Sequence, residues 1–120
     1  MNQRTLVLGA SSNPQRYSYK AVKLLSRYKH KLIAFGHQSG EIEGVKIETE
    51  RKGFENIHTI TLYINPKIQK DYYQYILDLK PKRIIFNPGT ENQELKEKAI
   101  LNNIEVVYDC TLVMLNSGIF

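Results

Sequence analysis

Three of the four prolines in the chain follow an asparagine, and this repeated dipeptide is the first place to look for chemistry. The pairs are Asn13-Pro14, Asn65-Pro66 and Asn87-Pro88, each just beyond a short apolar run that reads as a strand. A residue before proline is held extended, so each strand is expected to end there. Proline at a first helical position sacrifices no hydrogen bond, and asparagine can cap free N–H groups. The first two pairs are expected to start helices directly, while the third leads through Gly89-Thr90-Glu91 to a helix at Asn92. Helix N-termini present unpaired N–H groups and a partial positive charge, which suits a phosphate. The alternative is three good strand-to-helix turns with no ligand.

The first loop, Gly9-Ala-Ser-Ser-Asn-Pro14, adds short polar donors at Ser11, Ser12 and Asn13 after a glycine that permits a tight turn. It is not a G-x-G-x-x-G fingerprint, because Ser11 and Pro14 hold the later glycine positions, and no Gly-Lys-Ser/Thr follows to make a Walker loop. An NAD site also wants an acid after the second strand, where this chain reads Phe35-Gly36-His37-Gln38. Both points weigh against ordinary NAD binding. No histidine comes with an evident nucleophile and orienting acid, so no catalysis is expected. His30, His37 and His58 match no metal-ligand spacing, and the lone Cys110 cannot form a zinc cluster by itself, so no metal is expected. Cys110 reads as a small buried hydrophobe beside the crevice, with thiol exchange as the alternative. His37 is a candidate to touch ligand. His30 and His58 read as structural, and Tyr72, Tyr73 and Tyr75 as helix–sheet packing or a dimer surface.

The elements that must position these loops follow from apolar runs and turn signals. Strands are expected at Arg4–Leu8, Leu32–Phe35, Val45–Ile47, Thr59–Ile64, Arg83–Phe86 and Glu105–Tyr108. Helices are expected from Pro14 to about Tyr28, Pro66 to Leu79 and Asn92 to Asn102, with a helical turn at Thr111–Leu115 and a loop through Gly36, Gly40 and Gly44. Strands alternating with helices imply βαβ units, and continuous apolar strands imply burial on both faces. The expected fold is α/β, a Rossmann-like three-layer domain over residues 1–120 with a mostly parallel sheet of five or six strands. The brief third strand favours the order 3-2-1-4-5-6, which puts the switch point between strands 1 and 4.

Hydrophobic residues make up 42% of the 120 and charged residues 24%, as in a globular domain with one core. No apolar run reaches the roughly 18 residues of a membrane span, and the start Met1–Leu8 reads as a strand instead of a signal peptide. A cytoplasmic location is expected. The net charge of +5 favours anionic partners. Its densest stretch, Lys20, Lys23, Arg27, Lys29 and Lys31, reads as a solvated helix face, and no nucleic-acid motif accompanies it.

Five segments in order carry a resemblance: Gly9-Ala-Ser-Ser-Asn-Pro14, Gly40-Glu-Ile-Glu-Gly44, Thr61-Leu-Tyr-Ile-Asn-Pro66, Phe86-Asn-Pro-Gly-Thr-Glu-Asn92 and Cys110-Thr-Leu-Val-Met-Leu115. Over nearly its whole length the chain resembles the small stand-alone CoA-binding domain proteins, which are similar to the CoA-binding domain of the succinyl-CoA synthetase alpha subunit. The resemblance implies coenzyme A or an acyl-CoA as ligand, without catalysis. It places Ser11, Ser12, Asn13, Pro14 and Gln15 at the phosphates, next to Gly9, which permits close ligand approach. It places Asn87, Pro88, Gly89, Thr90 and Glu91 at the pantetheine or adenosine, with Asn65, Pro66 and Lys67 opposite the first loop. The family commonly reads Asn-Pro-Lys after the second strand, where this chain has Gly36-His37-Gln38. The lysine suited to the extra ribose phosphate is thus replaced by Gln38, with Lys20, Lys46 or His37 as candidate substitutes. The competing readings are an NAD- or nucleotide-sensing module acting through a partner protein, and nucleic-acid binding. A homodimer or protein partner stays open.

Overall fold

In the computed structural model the described residues are 4–120; Met1–Gln3, assigned above to the start of the first strand, lie outside them. Seven strands form one sheet: β1 (Arg4–Leu8), β2 (Leu32–Phe35), β3 (Gly40–Ile42), β4 (Val45–Glu48), β5 (Ile57–Leu62), β6 (Arg83–Phe86) and β7 (Glu105–Tyr108). Their order is β3-β4-β2-β1-β5-β6-β7. All neighbours are parallel except β3 and β4. The six anticipated strands keep their anticipated order. The correction is at the edge, where the expected loop at Gly40–Ile42 turns back antiparallel on β4 through Glu43 and Gly44, both at positive φ.

The central strands β1, β2, β5 and β6 are buried on both faces because helices cover both, whereas the edge strand β7, expected to be buried like them, has no fully buried residue. Leu6, Leu8, Ile60, Leu62, Ile84 and Phe86 face α2 (Pro66–Gln69), α3 (Tyr73–Asp78) and α4 (Gln93–Leu101). Val7, Ala34, Ile42 and Ile47 face α1 (Tyr17–Arg27) and α5 (Thr111–Ser117). The result is the three-layer Rossmann-like arrangement that continuous apolar strands require. Tyr72, Tyr73 and Tyr75 pack against the first of these cores, and the rings of Tyr72 and Tyr75 lie 6.2 and 5.9 Å from that of Phe35.

Several boundaries depart from expectation. The first helix begins at Tyr17 and not at Pro14. The expected helix from Pro66 to Leu79 is interrupted by a 3₁₀ turn at Lys70–Tyr72. The strand expected at Thr59–Ile64 runs from Ile57 to Leu62, two residues earlier at both ends, where it pairs with β1 from Arg4 to Leu8. No helix among the described residues is long and apolar enough to cross a membrane.

Candidate functional site

Four helices start at the carboxyl edge of the sheet, and they treat their free N–H groups differently. Asn65 caps α2, its side-chain oxygen accepting from the Ile68 N–H at 2.9 Å. Asn92 caps α4 in the same way, from the Leu95 N–H at 3.1 Å. The first N–H of α5, at Thr111, donates to the side-chain oxygen of Asn87 at 2.8 Å. The remaining helix, α1, has no side-chain cap. Asn13, expected to cap it, lies too early and instead closes a local turn by accepting from the Gln15 N–H at 3.0 Å. Uncapped N–H groups and a positive helix end therefore face the loop Gly9–Arg16.

That loop is held by close backbone packing. The N–H groups of Gly9 and Ala10 both donate to the Phe35 carbonyl at the end of β2, at 2.9 and 2.8 Å. Gly9 has a φ of +102°, and a side chain there would lie 2.9 Å from the Tyr63 backbone. Gly36 is buried, and a Cβ on it would collide with the Ala10 carbonyl oxygen. A Cβ on Gly40 would come within 3.2 Å of Ser12. The β3–β4 hairpin and the turn after β2 thus pack directly behind the loop.

These loops enclose a crevice of about 740 Å³ across the switch point between β1 and β5. One half is polar: Ser11, Ser12, Asn13, Arg16, Tyr17, Ser18, His37 and Gln38. The other half carries Tyr63, Ile64, Ile68, Pro88, Gly89 and Thr90, with Asn65 between. No carboxylate lines it among the described residues. A groove of about 800 Å³ bordered by Lys80, Lys82 and Asn102 lies at the opposite, amino end of the sheet, away from these loops.

Of the residues singled out in the sequence, the crevice gathers Gly9, Ser11, Ser12, Asn13, His37, Gln38, Asn65, Pro88, Gly89 and Thr90. Pro14, Gln15, Lys20, Pro66, Lys67, Asn87 and Glu91 do not line it. Asn87 is a correction with a clear cause. It is 3% exposed, its amide donates to the Thr61 hydroxyl at 2.7 Å and the Leu62 carbonyl at 2.8 Å, and its oxygen holds α5. Glu91 accepts from the Gly89 N–H at 2.9 Å and so shapes the turn beside the crevice. Among the three candidate substitutes for the absent lysine, His37 lines the crevice, and Lys20 and Lys46 do not. Arg16 supplies a cation that was not anticipated.

Behind the crevice, a buried polar network fixes its walls. Gln69, fully buried, donates to the carbonyls of Ile64 and Thr90, both at 2.8 Å, and accepts from Asn92 at 2.9 Å. The loops after β5 and β6 are thereby tied to one side chain. On the floor, the Tyr63 hydroxyl is buried without a hydrogen-bond partner among the described residues. Burial, and secondarily the nearby Cys110 sulfur, pushes this phenol well above its ordinary pKa, so it remains neutral. Cys110 precedes α5 and is partly buried, and it does not line the crevice.

A solved structure of an uncharacterised protein is 50% identical over 100% of this chain and 99% of its own, with a TM-score of 0.97. A Thermus thermophilus protein (20% identity, TM-score 0.86, covering 99% of this chain and 91% of that one) shares the fold. So does a hypothetical protein from Pyrococcus horikoshii OT3 (19% identity, TM-score 0.85, 98% and 84%). No curated protein matches the chain. The model of the CoA binding domain family matches residues 3–116, taking in every loop of the crevice, and this chain belongs to that family.

Proposed function

We propose that the protein binds coenzyme A or an acyl-CoA in this crevice and carries out no reaction on it. The observation that carries this reading is the pairing of an uncapped α1 N-terminus with a crevice that is polar and acid-free on one side and largely apolar on the other. A diphosphate fits the first feature, because backbone N–H groups and a helix dipole favour negative charge. An amphipathic ligand fits the second. The nucleotide would lie along Ser11–Ser18, His37 and Gln38, and the uncharged pantetheine arm along Ile64, Ile68 and Pro88. Arg16 and His37 are the positively chargeable side chains available to its phosphates.

The test is calorimetric titration with coenzyme A, acetyl-CoA and NAD in parallel. Saturable binding of a CoA species, tighter than NAD, is expected. No heat with any CoA species at millimolar ligand overturns the reading, and a preference for NAD replaces it with nucleotide sensing.

A further inference from the structure

We propose that Tyr17 is the platform on which the adenine of the bound nucleotide stacks, a role that rests on the coenzyme A reading above. Tyr17 is the first residue of α1 and lines the polar half of the crevice, yet it is 67% exposed. A large aromatic ring held in water inside a ligand crevice leaves much of its apolar surface unused. Its neighbours define what it would meet. Arg16 precedes it, His37 and Gln38 line the same crevice, and no acid is present there. The Lys20 ammonium lies 5.2 Å from the ring centroid, so a cation already sits over the ring. A ring polarised in this way favours an electron-rich purine as its stacking partner. Two further exposed tyrosines, Tyr28 and Tyr108, lie away from the crevice. Gln38 and His37, on the same lining, supply side-chain hydrogen-bonding groups to a nucleotide held there.

The chain has no tryptophan, so a Tyr17→Trp variant carries a single tryptophan, at the site, which can be excited selectively over the tyrosines. Its emission is expected to be quenched by coenzyme A and by adenosine 3′,5′-bisphosphate, and not by 4′-phosphopantetheine, which has no base. A Tyr28→Trp variant, with its emitter at the far end of the same helix, should stay unquenched. Tyr17→Ala should weaken coenzyme A binding about tenfold and leave 4′-phosphopantetheine binding unchanged, and Tyr17→Phe should bind as the parent does. Calorimetric binding of coenzyme A with unquenched emission, or with equal quenching by 4′-phosphopantetheine, overturns the stacking role alone. Parent-like affinity in Tyr17→Ala does the same. If the parent itself binds no CoA species by calorimetry, the coenzyme A reading falls and the stacking role with it.

Discussion

Ser12 and Asn13 are exposed at the mouth of the crevice, and the only bonds between them and their surroundings are short-range ones within the loop. Replacing both by alanine should therefore disturb folding little, since exposed changes of this kind stay within about 1 kcal/mol. Two lost hydrogen bonds to a charged phosphate contribute on the order of 1.5–3 kcal/mol each. At about 1.4 kcal/mol per factor of ten, CoA affinity should drop at least a hundredfold. Ser39→Ala is the control, because Ser39 does not line the crevice. Paired melting and binding measurements check the claim. A lower melting temperature with unchanged affinity would make the loop a structural turn. At this scale the sequence was informative about position and poor about role. Every Asn-Pro pair does lie at the carboxyl edge, but Asn13 turns its own loop, Asn65 caps a helix and Asn87 bonds inward. Those fates depend on which strands come beside each asparagine. Dipeptide composition carries no such information and gave no sign of Arg16, while helical spacing reads Tyr17 as part of the apolar face of the first helix, where it is exposed instead.

Between elements, Asn87 has the largest structural part. It joins β5, through Thr61 and Leu62, to the start of α5, from a position just past β6. Asn87→Ala leaves the Thr111 N–H and the Leu62 carbonyl without that partner in a buried setting, at about 1–3 kcal/mol for each orphaned group. A loss of about 3 kcal/mol in denaturant unfolding is expected, and a change below about 1 kcal/mol would show that water or a neighbour replaces the amide. The Thr61–Thr111 hydroxyl bond at 2.7 Å depends on the same clasp. The order of the six main strands was legible because alternating apolar runs and helices leave few right-handed solutions. The strand at Gly40–Ile42 was not legible. It is three residues long, too short for periodicity to register, and it is defined by its pairing with β4. The 3₁₀ turn in the second helical region escaped for a related reason. Apolar spacing over Pro66–Leu79 does not separate i+3 from i+4 bonding, and buried Gln69 immediately before the turn binds loops on either side.

Over the whole molecule, charge is arranged so that acid should weaken it. His30 and His58 lie near the buried Arg83 at the amino end of the sheet, opposite the crevice. Burial first, and Arg83 second, hold both imidazoles below their ordinary value of 6.5, with Lys82 adding to the effect at His58 and Glu105 opposing it. The unfolded chain then binds more protons than the folded one between the folded pKa values and about 6.5. Their contribution to stability is complete above that point and is lost as pH falls through the folded values. The melting temperature should decline on acidification from about pH 7 to about pH 5, and His30→Gln with His58→Gln should flatten that decline. An unchanged slope in the double variant would remove the two histidines from the explanation. The sheet order has a different consequence, one that belongs to the chain as it is being made. The central strand, β1, is synthesised before any other described strand, yet its second neighbour, β5, ends at Leu62. A growing polypeptide must therefore shelter an apolar, half-paired segment until Ile57–Leu62 has followed it out of the ribosome. Because the crevice needs residues from both Ser11 and Thr90, ligand present during translation can rescue only chains in which Thr90 has already emerged.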